Sequence, residues 1–192
     1  EKIAAVESRP VVVLVVGQVD SGKSSLCAYL VNNLLAGKKK VAVVDGDLGQ
    51  SDIGPSATVG YGLVTRSITK LYNIKLSNAF FVGHTSPIKA IPKILEGLTT
   101  MKNEAVNLQP DYVIVNTDGW VSGEHATQYK TAMVNHLKPD VVVGIQVAEE
   151  LVPLVANLPM PAVLVKSSAS LSPRSLEKRK SLREMTYIRY MR

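Results

Sequence analysis

The chain has 192 residues, 46% apolar and 20% charged, with 22 Lys and Arg against 16 Asp and Glu for a net charge of +6. That composition excludes a disordered chain, and the length predicts a single domain over residues 1–192, a core at 10–171 followed by a terminal segment at 172–192. One cysteine, Cys27, excludes an internal disulfide; no Cys/His spacing suits a zinc module, and the longest apolar run, 11–16, falls far short of the ~20 residues that span a bilayer. The amino-terminal stretch lacks the order of a signal peptide, so the expectation is an intracellular protein, cytoplasmic or, in a eukaryote, nuclear, with no membrane partner.

Six runs rich in Val and Ile read as strands: 11–16, 41–44, 79–82, 112–115, 141–145 and 162–165. Their lack of polar alternation suits strands covered on both faces, as in a parallel sheet. Segments of helical period lie between them at 23–36, 88–106, 123–137 and 149–156. Gly37 stops the first, Pro87 and Pro92 bound the start of the second, and Pro139 closes the third. This alternation predicts a three-layer α/β fold with a mainly parallel central sheet. Residues 51–77, with Gly54, Pro55, Gly60 and Gly62, read as loop with a hairpin. Residues 172–192 read as an exposed basic helix after a loop; from Arg174 onward seven basic residues face two acidic ones, so +5 of the +6 charge is local. Such a cluster suits a polyanionic ligand, or simply a solvated helix face.

The first strand runs directly into Gly17-Gln18-Val19-Asp20-Ser21-Gly22-Lys23-Ser24, followed by Ser25 and a helix. The spacing G-x-x-x-x-G-K-[ST] in that context is a phosphate-binding loop of the P-loop NTPase fold. Its glycines let backbone N–H groups wrap phosphates at a helix N-terminus, Lys23 reaches the β- and γ-phosphates, and Ser24 offers a hydroxyl to Mg²⁺. The second strand leads into Asp45-Gly46-Asp47-Leu48-Gly49-Gln50, carboxylates at the same sheet edge. One could hold Mg²⁺, with Asp47 expected there; one could take a proton from an attacking hydroxyl, with Asp45 expected first and Asp47 second. Gln50 is expected to orient substrate or Mg²⁺-bound water. A guanine-reading Asn-Lys-x-Asp is missing, since 116–119 is Asn-Thr-Asp-Gly, and Gln18 stands where partitioning ATPases carry an extra Lys.

Four elements in this order resemble the polynucleotide 5′-hydroxyl kinase family, the RNA kinases of messenger-RNA cleavage and ribosomal-RNA processing with their archaeal relatives. They are the phosphate loop; Asp45-x-Asp47-x-Gly49-Gln50, similar to the family's Walker B variant; Thr117-Asp118-Gly119-Trp120, similar to its T-x-G-W clasp; and Arg179-Lys180-Ser181-Leu182-Arg183, similar to its R-x-x-x-R lid. The loop Phe81 to Pro87 adds to the likeness, which runs from Pro10 to Met191. It covers the kinase domain alone, without the β-rich amino-terminal and the carboxyl-terminal domains of larger members, so adenine contacts do not carry over. The resemblance implies transfer of the γ-phosphate of ATP, with Mg²⁺, to the 5′-hydroxyl of RNA, with DNA as an alternative acceptor and protein partners in an RNA-processing complex.

Each carry-over also has a physical reading. Trp120, the only tryptophan, can stack a base or pack as a core aromatic. Arg179 and Arg183, four apart on a helix, can grip a transferring phosphoryl group. His84, Thr85 and Ser86 are expected to hold sugar or phosphate, and Thr117 is expected with them at the acceptor. His125 and His136 read as surface residues, Cys27 as core. Two other functions stay open: an ATP-binding switch or scaffold subunit without turnover, and a small-molecule P-loop kinase or ligase.

Overall fold

The structure is a computed structural model that describes residues 10–156, 158–169, 171 and 174–190. Positions 172, 173, 191 and 192 of the expected terminal segment lie outside the described residues. In chain order the elements are β1 (Val11–Gly17), α1 (Lys23–Ala36), β2 (Val41–Gly46), β3 (Thr58–Val64), β4 (Asn78–Phe81), α2 (Ile91–Asn107), β5 (Tyr112–Thr117), α3 (Glu124–Leu137), β6 (Val141–Gln146), α4 (Val152–Val155), β7 (Ala162–Lys166) and α5 (Leu176–Tyr190). Single 3₁₀ turns sit at Leu71–Asn73 and Pro87–Lys89.

The strands form one seven-stranded sheet in the order β4-β3-β2-β5-β1-β6-β7. From β2 to β7 all neighbours are parallel, while β3 runs antiparallel to both β2 and β4. Successive residues of β1 enter two different cores, which is why that run shows no polar alternation. Val12, Leu14 and Val16 pack with Leu98 and Met101 of α2 and Met133 of α3. Val11, Val13 and Val15 pack with Cys27 and Val31 of α1 and with Leu71 and Ile74. The three-layer α/β fold expected from the alternation is therefore present.

Three expectations need correction. Residues 51–77 hold a full seven-residue strand, β3, and 79–82 is no doubly covered parallel strand but the half-exposed edge strand β4. The glycines that read as loop are there for close approach: a Cβ on Gly62 would lie 2.3 Å from the Lys75 carbonyl oxygen. The helix expected at 149–156 is a single turn, α4, with Pro153 inside it. Among the described residues no helix is long and apolar enough to cross a membrane.

The connectivity places the ends of β1, β2 and β5 side by side, so the phosphate loop, the acidic segment and the Thr117–Trp120 segment share one sheet edge. In open α/β sheets that edge is where ligands bind.

Candidate active site

β1 ends at Gly17, and the loop turns through Gly22, whose φ of 102° lies in the left-handed region open to glycine, to start α1. The Lys23 ammonium group is buried and donates to the Gln18 carbonyl oxygen at 2.7 Å. Burial lowers its pKa, opposed by the charge of Asp47. Ser21 Oγ is buried without a hydrogen-bond partner among the described residues. A glycine-bounded turn at the start of a helix with a folded-back lysine fits a triphosphate.

β2 delivers two carboxylates with different fates. Asp45 is fully buried; Asn116 Nδ2 donates to its Oδ1 at 2.9 Å, and the N–H groups of Asp52 and Ile53 donate to its Oδ2 at 2.6 and 3.2 Å. Burial raises its pKa, with Asp52 adding to the effect. Hydrogen-bonded on both carboxylate oxygens and off the cavity wall, Asp45 anchors the loop after β2, whereas the expectation of a base would set it toward the cavity. Asp47 reaches the cavity wall. Its Oδ1 accepts from the N–H groups of Gly49 and Gln50, and burial pushes its pKa up to about 6, with Lys23 pulling the other way. Asp52 joins it on the wall, hydrogen-bonded to Ser24 and raised by burial.

At the end of β5 the chain makes a buried polar knot. Asp118 accepts from the Trp120 N–H at 2.9 Å, the Tyr129 hydroxyl at 2.8 Å and the fully buried Lys130 ammonium at 3.1 Å. Tyr129 stacks beneath Trp120 with ring centroids 5.6 Å apart, so one face of the indole is fixed from below. Gly119 has no room for a side chain, because a Cβ there would lie 2.5 Å from the Val19 backbone nitrogen. The Trp120 segment is thereby pressed against the phosphate loop.

α5 closes the site from the other side. Arg179 pairs with Asp20 of the phosphate loop at 2.8 Å, and Arg174 donates its N–H to the same carboxylate at 2.9 Å and a guanidinium N–H to Gln50 at 2.5 Å. Burial alone would raise Asp20, but the Arg174 N–H and the two guanidiniums hold it below its ordinary value. Together these elements enclose a cavity of about 480 Å³ whose wall includes Lys23, Ser24, Asp47, Trp120, Arg179 and Arg183.

Residues 17–192 match the family model of the mRNA cleavage and polyadenylation factor CLP1 P-loop. The chain belongs to that family. Curated relatives align with most of its length. A polyribonucleotide 5′-hydroxyl-kinase of Pyrococcus furiosus is 31% identical over 182 residues, 95% of this chain and 51% of the relative. One of Methanocaldococcus jannaschii is 35% identical over 143 residues, 74% of this chain and 39% of the relative. The chain thus spans about half or less of the length of these curated relatives. Among solved structures, Clp1p in its complex with Pcf11p superimposes with a TM-score of 0.75 at 14% identity, over 98% of this chain and 51% of that one, a likeness of fold.

Of the residues expected at the CLP1-type site, the cavity gathers Val19, Asp20, Gly22, Lys23, Ser24 and Ser25 from the phosphate loop. It also gathers Asp47, Gln50, Thr85, Ser86, Trp120, Arg179 and Arg183. Gly17, Gln18 and Ser21 are off the cavity wall, Gln18 with its amide donating to Glu150 at 3.0 Å. His84 is exposed and off the wall. Thr117 is fully buried, its hydroxyl donating to the Val15 carbonyl oxygen at 2.9 Å, so it ties β5 to β1 and does not face an acceptor. Asp52, Lys130, Tyr129 and Arg174 were not singled out from the sequence; only Arg174, inside the basic cluster, carried any signal there. His125 and His136 are exposed, and Cys27 is buried in the core.

Proposed function

We propose that this chain is a single P-loop kinase domain, with residues 174–190 as its lid, that transfers the γ-phosphate of ATP to the 5′-hydroxyl of a polynucleotide, RNA first. The observation that carries the reading is the meeting, in one cavity, of a phosphate loop, a partly free carboxylate, an exposed-edge indole and two lid arginines. The names of the archaeal relatives support the reaction. The Clp1p–Pcf11p complex supports a protein partner in RNA processing. An intracellular site of action, cytoplasmic or nuclear, goes with such a substrate.

In this reading Lys23 and the lid arginines neutralise charge on the transferring group, and positioning does most of the work. Arg179 leaves Asp20 for the phosphate as the triphosphate enters. Asp47, not Asp45, accepts the proton of the 5′-hydroxyl, since a carboxylate raised to about 6 is matched to a base near neutrality. Ser24, with Asp52 in place of the Asp47 expected from the sequence, fits Mg²⁺ as it travels with nucleotide phosphates, which commonly needs only one or two protein oxygens. When bound, that ion supplies charge neutralisation at the β- and γ-phosphates. The test is transfer of labelled γ-phosphate to a 5′-hydroxyl oligoribonucleotide; both ligands bound without transfer would replace the kinase by a binding subunit.

Two substitutions separate the parts. Trp120→Ala removes the stacking ring and is expected to weaken oligonucleotide binding by ~1–3 kcal/mol, about 5- to 150-fold, with ATP binding unchanged. Fluorescence anisotropy reads the first and nucleotide titration the second. For Asp47, a folded pKa of about 6 against the ordinary 3.8 means that the folded state holds the extra proton between those values. Stability therefore falls as pH rises through about 4 to 6, and the cost is complete above it. Asp47→Asn should raise the Tm of the nucleotide-free protein near neutrality, leave it unchanged at about pH 4, and cut transfer by about 10²-fold or more. An equal Tm change at both pH values would remove the assignment.

A further inference from the structure

A second groove, of about 540 Å³, opens from the cavity between α5 and the turn Leu71–Asn73. The two spaces share a wall that includes Ser24, Gln50, Asp52 and Arg183, so the groove begins at the phosphate end of the site. Four cations, Lys70, Arg174, Lys178 and Arg183, line it against a single carboxylate, Asp52. The ammonium groups of Lys70 and Lys178 form no ion pair among the described residues. Tyr72 is 47% exposed at the groove, its ring held by the Arg189 guanidinium at 4.1 Å and its carbonyl oxygen accepting from the same group at 2.8 Å.

We propose that this groove takes the acceptor strand beyond its first nucleotide, with Lys70 and Lys178 on backbone phosphates and Tyr72 against a base; the assignment rests on the kinase reading above. A strand whose 5′-hydroxyl meets the γ-phosphate can leave only in the 3′ direction, and it leaves as a polyanion. A cationic groove with an aromatic platform is how proteins hold single strands without reading sequence. The other nearby polyphosphate is the donor nucleotide, which shares the same chemistry. Of the phosphate-loop residues, Val19, Asp20, Gly22 and Lys23 line only the first cavity; Ser24 and Ser25 line both, so the groove meets the loop only where α1 begins.

The double variant Lys70→Ala/Lys178→Ala tests this with two readouts. One is the Kd of a fluorescent 5′-hydroxyl RNA decamer over a salt series; the other is the KM for ATP with a nucleoside 3′-monophosphate as acceptor. Decamer binding is expected to weaken about tenfold or more, and the slope of log K against log salt to flatten by about 1.4, at ~0.7 for each phosphate no longer neutralised. The KM for ATP and transfer to the short acceptor should match the unaltered chain, and Lys70→Arg/Lys178→Arg should restore decamer binding. An unchanged salt slope overturns the proposal. So does a raised KM for ATP, which assigns the groove to the donor. A chain that binds the decamer through these lysines yet phosphorylates no 5′-hydroxyl supports the strand-binding groove and overturns the kinase reading alone.

Discussion

Lys23→Ala is expected to lower phosphate transfer by about 10³-fold or more while the chain stays folded. The ammonium group is already inside the loop, held on the Gln18 carbonyl oxygen at 2.7 Å, and needs only to turn to reach a γ-phosphate. Removing one preorganised donor to developing charge costs about 10²–10³ in turnover even when the donor is neutral. A full positive charge shielded from water acts more strongly still. Folding has little to lose, because burial lowers the pKa of Lys23 and therefore disfavours its charged form in the folded state. Transfer of label to a 5′-hydroxyl oligoribonucleotide, measured beside a thermal melt, checks both halves. Residual transfer above about a tenth of the unaltered rate would show that Lys23 is not the principal cation; a collapsed melt would show that its bond to Gln18 holds the loop together.

How much of this was readable beforehand follows from the range of each interaction. The phosphate loop is a local device: strand, glycines, Lys23 and helix are contiguous, and the spacing alone carries the chemistry. The acidic segment was readable as to place but not as to role. Asp45 and Asp47 differ because N–H groups at 52 and 53 fold back onto Asp45, a turn that the glycine-rich stretch after β2 does not announce. Likewise Thr117 fits a family pattern, and only the register of β5 on β1 reveals that its hydroxyl is spent on Val15. The lid arginines were visible as a charge cluster, yet Asp20, the partner of Arg179, lies 159 residues from it in sequence and within an expected cofactor loop. β3 was obscured by Gly60 and Gly62, which the sheet needs for close packing and which sequence patterns read as turn.

Lys130 had no signal at all, and breaking its buried pair with Asp118 should be the most destabilising change at the site. Its side chain is 1% exposed and that of Asp118 6%, and the ammonium group bonds both the Asp118 carboxylate at 3.1 Å and the Asp118 carbonyl oxygen at 3.0 Å. Removing one member of a buried pair strands the other charge, at a cost of about 3–5 kcal/mol. Asp118→Ala also releases the Trp120 N–H and the Tyr129 hydroxyl, so it should lower stability by at least that much and loosen the indole. Lys130→Met keeps the volume but leaves the carboxylate unpaired, and should cost about 3 kcal/mol at neutral pH. The double variant Asp118→Leu/Lys130→Met buries no charge and should recover much of the loss, as apolar replacements of buried pairs commonly do. Urea denaturation measures each arm of that cycle. If the double variant regains stability but not oligonucleotide affinity, the pair exists to set the angle of Trp120; if affinity returns with stability, Tyr129 alone positions the ring and the charge pair is dispensable to binding.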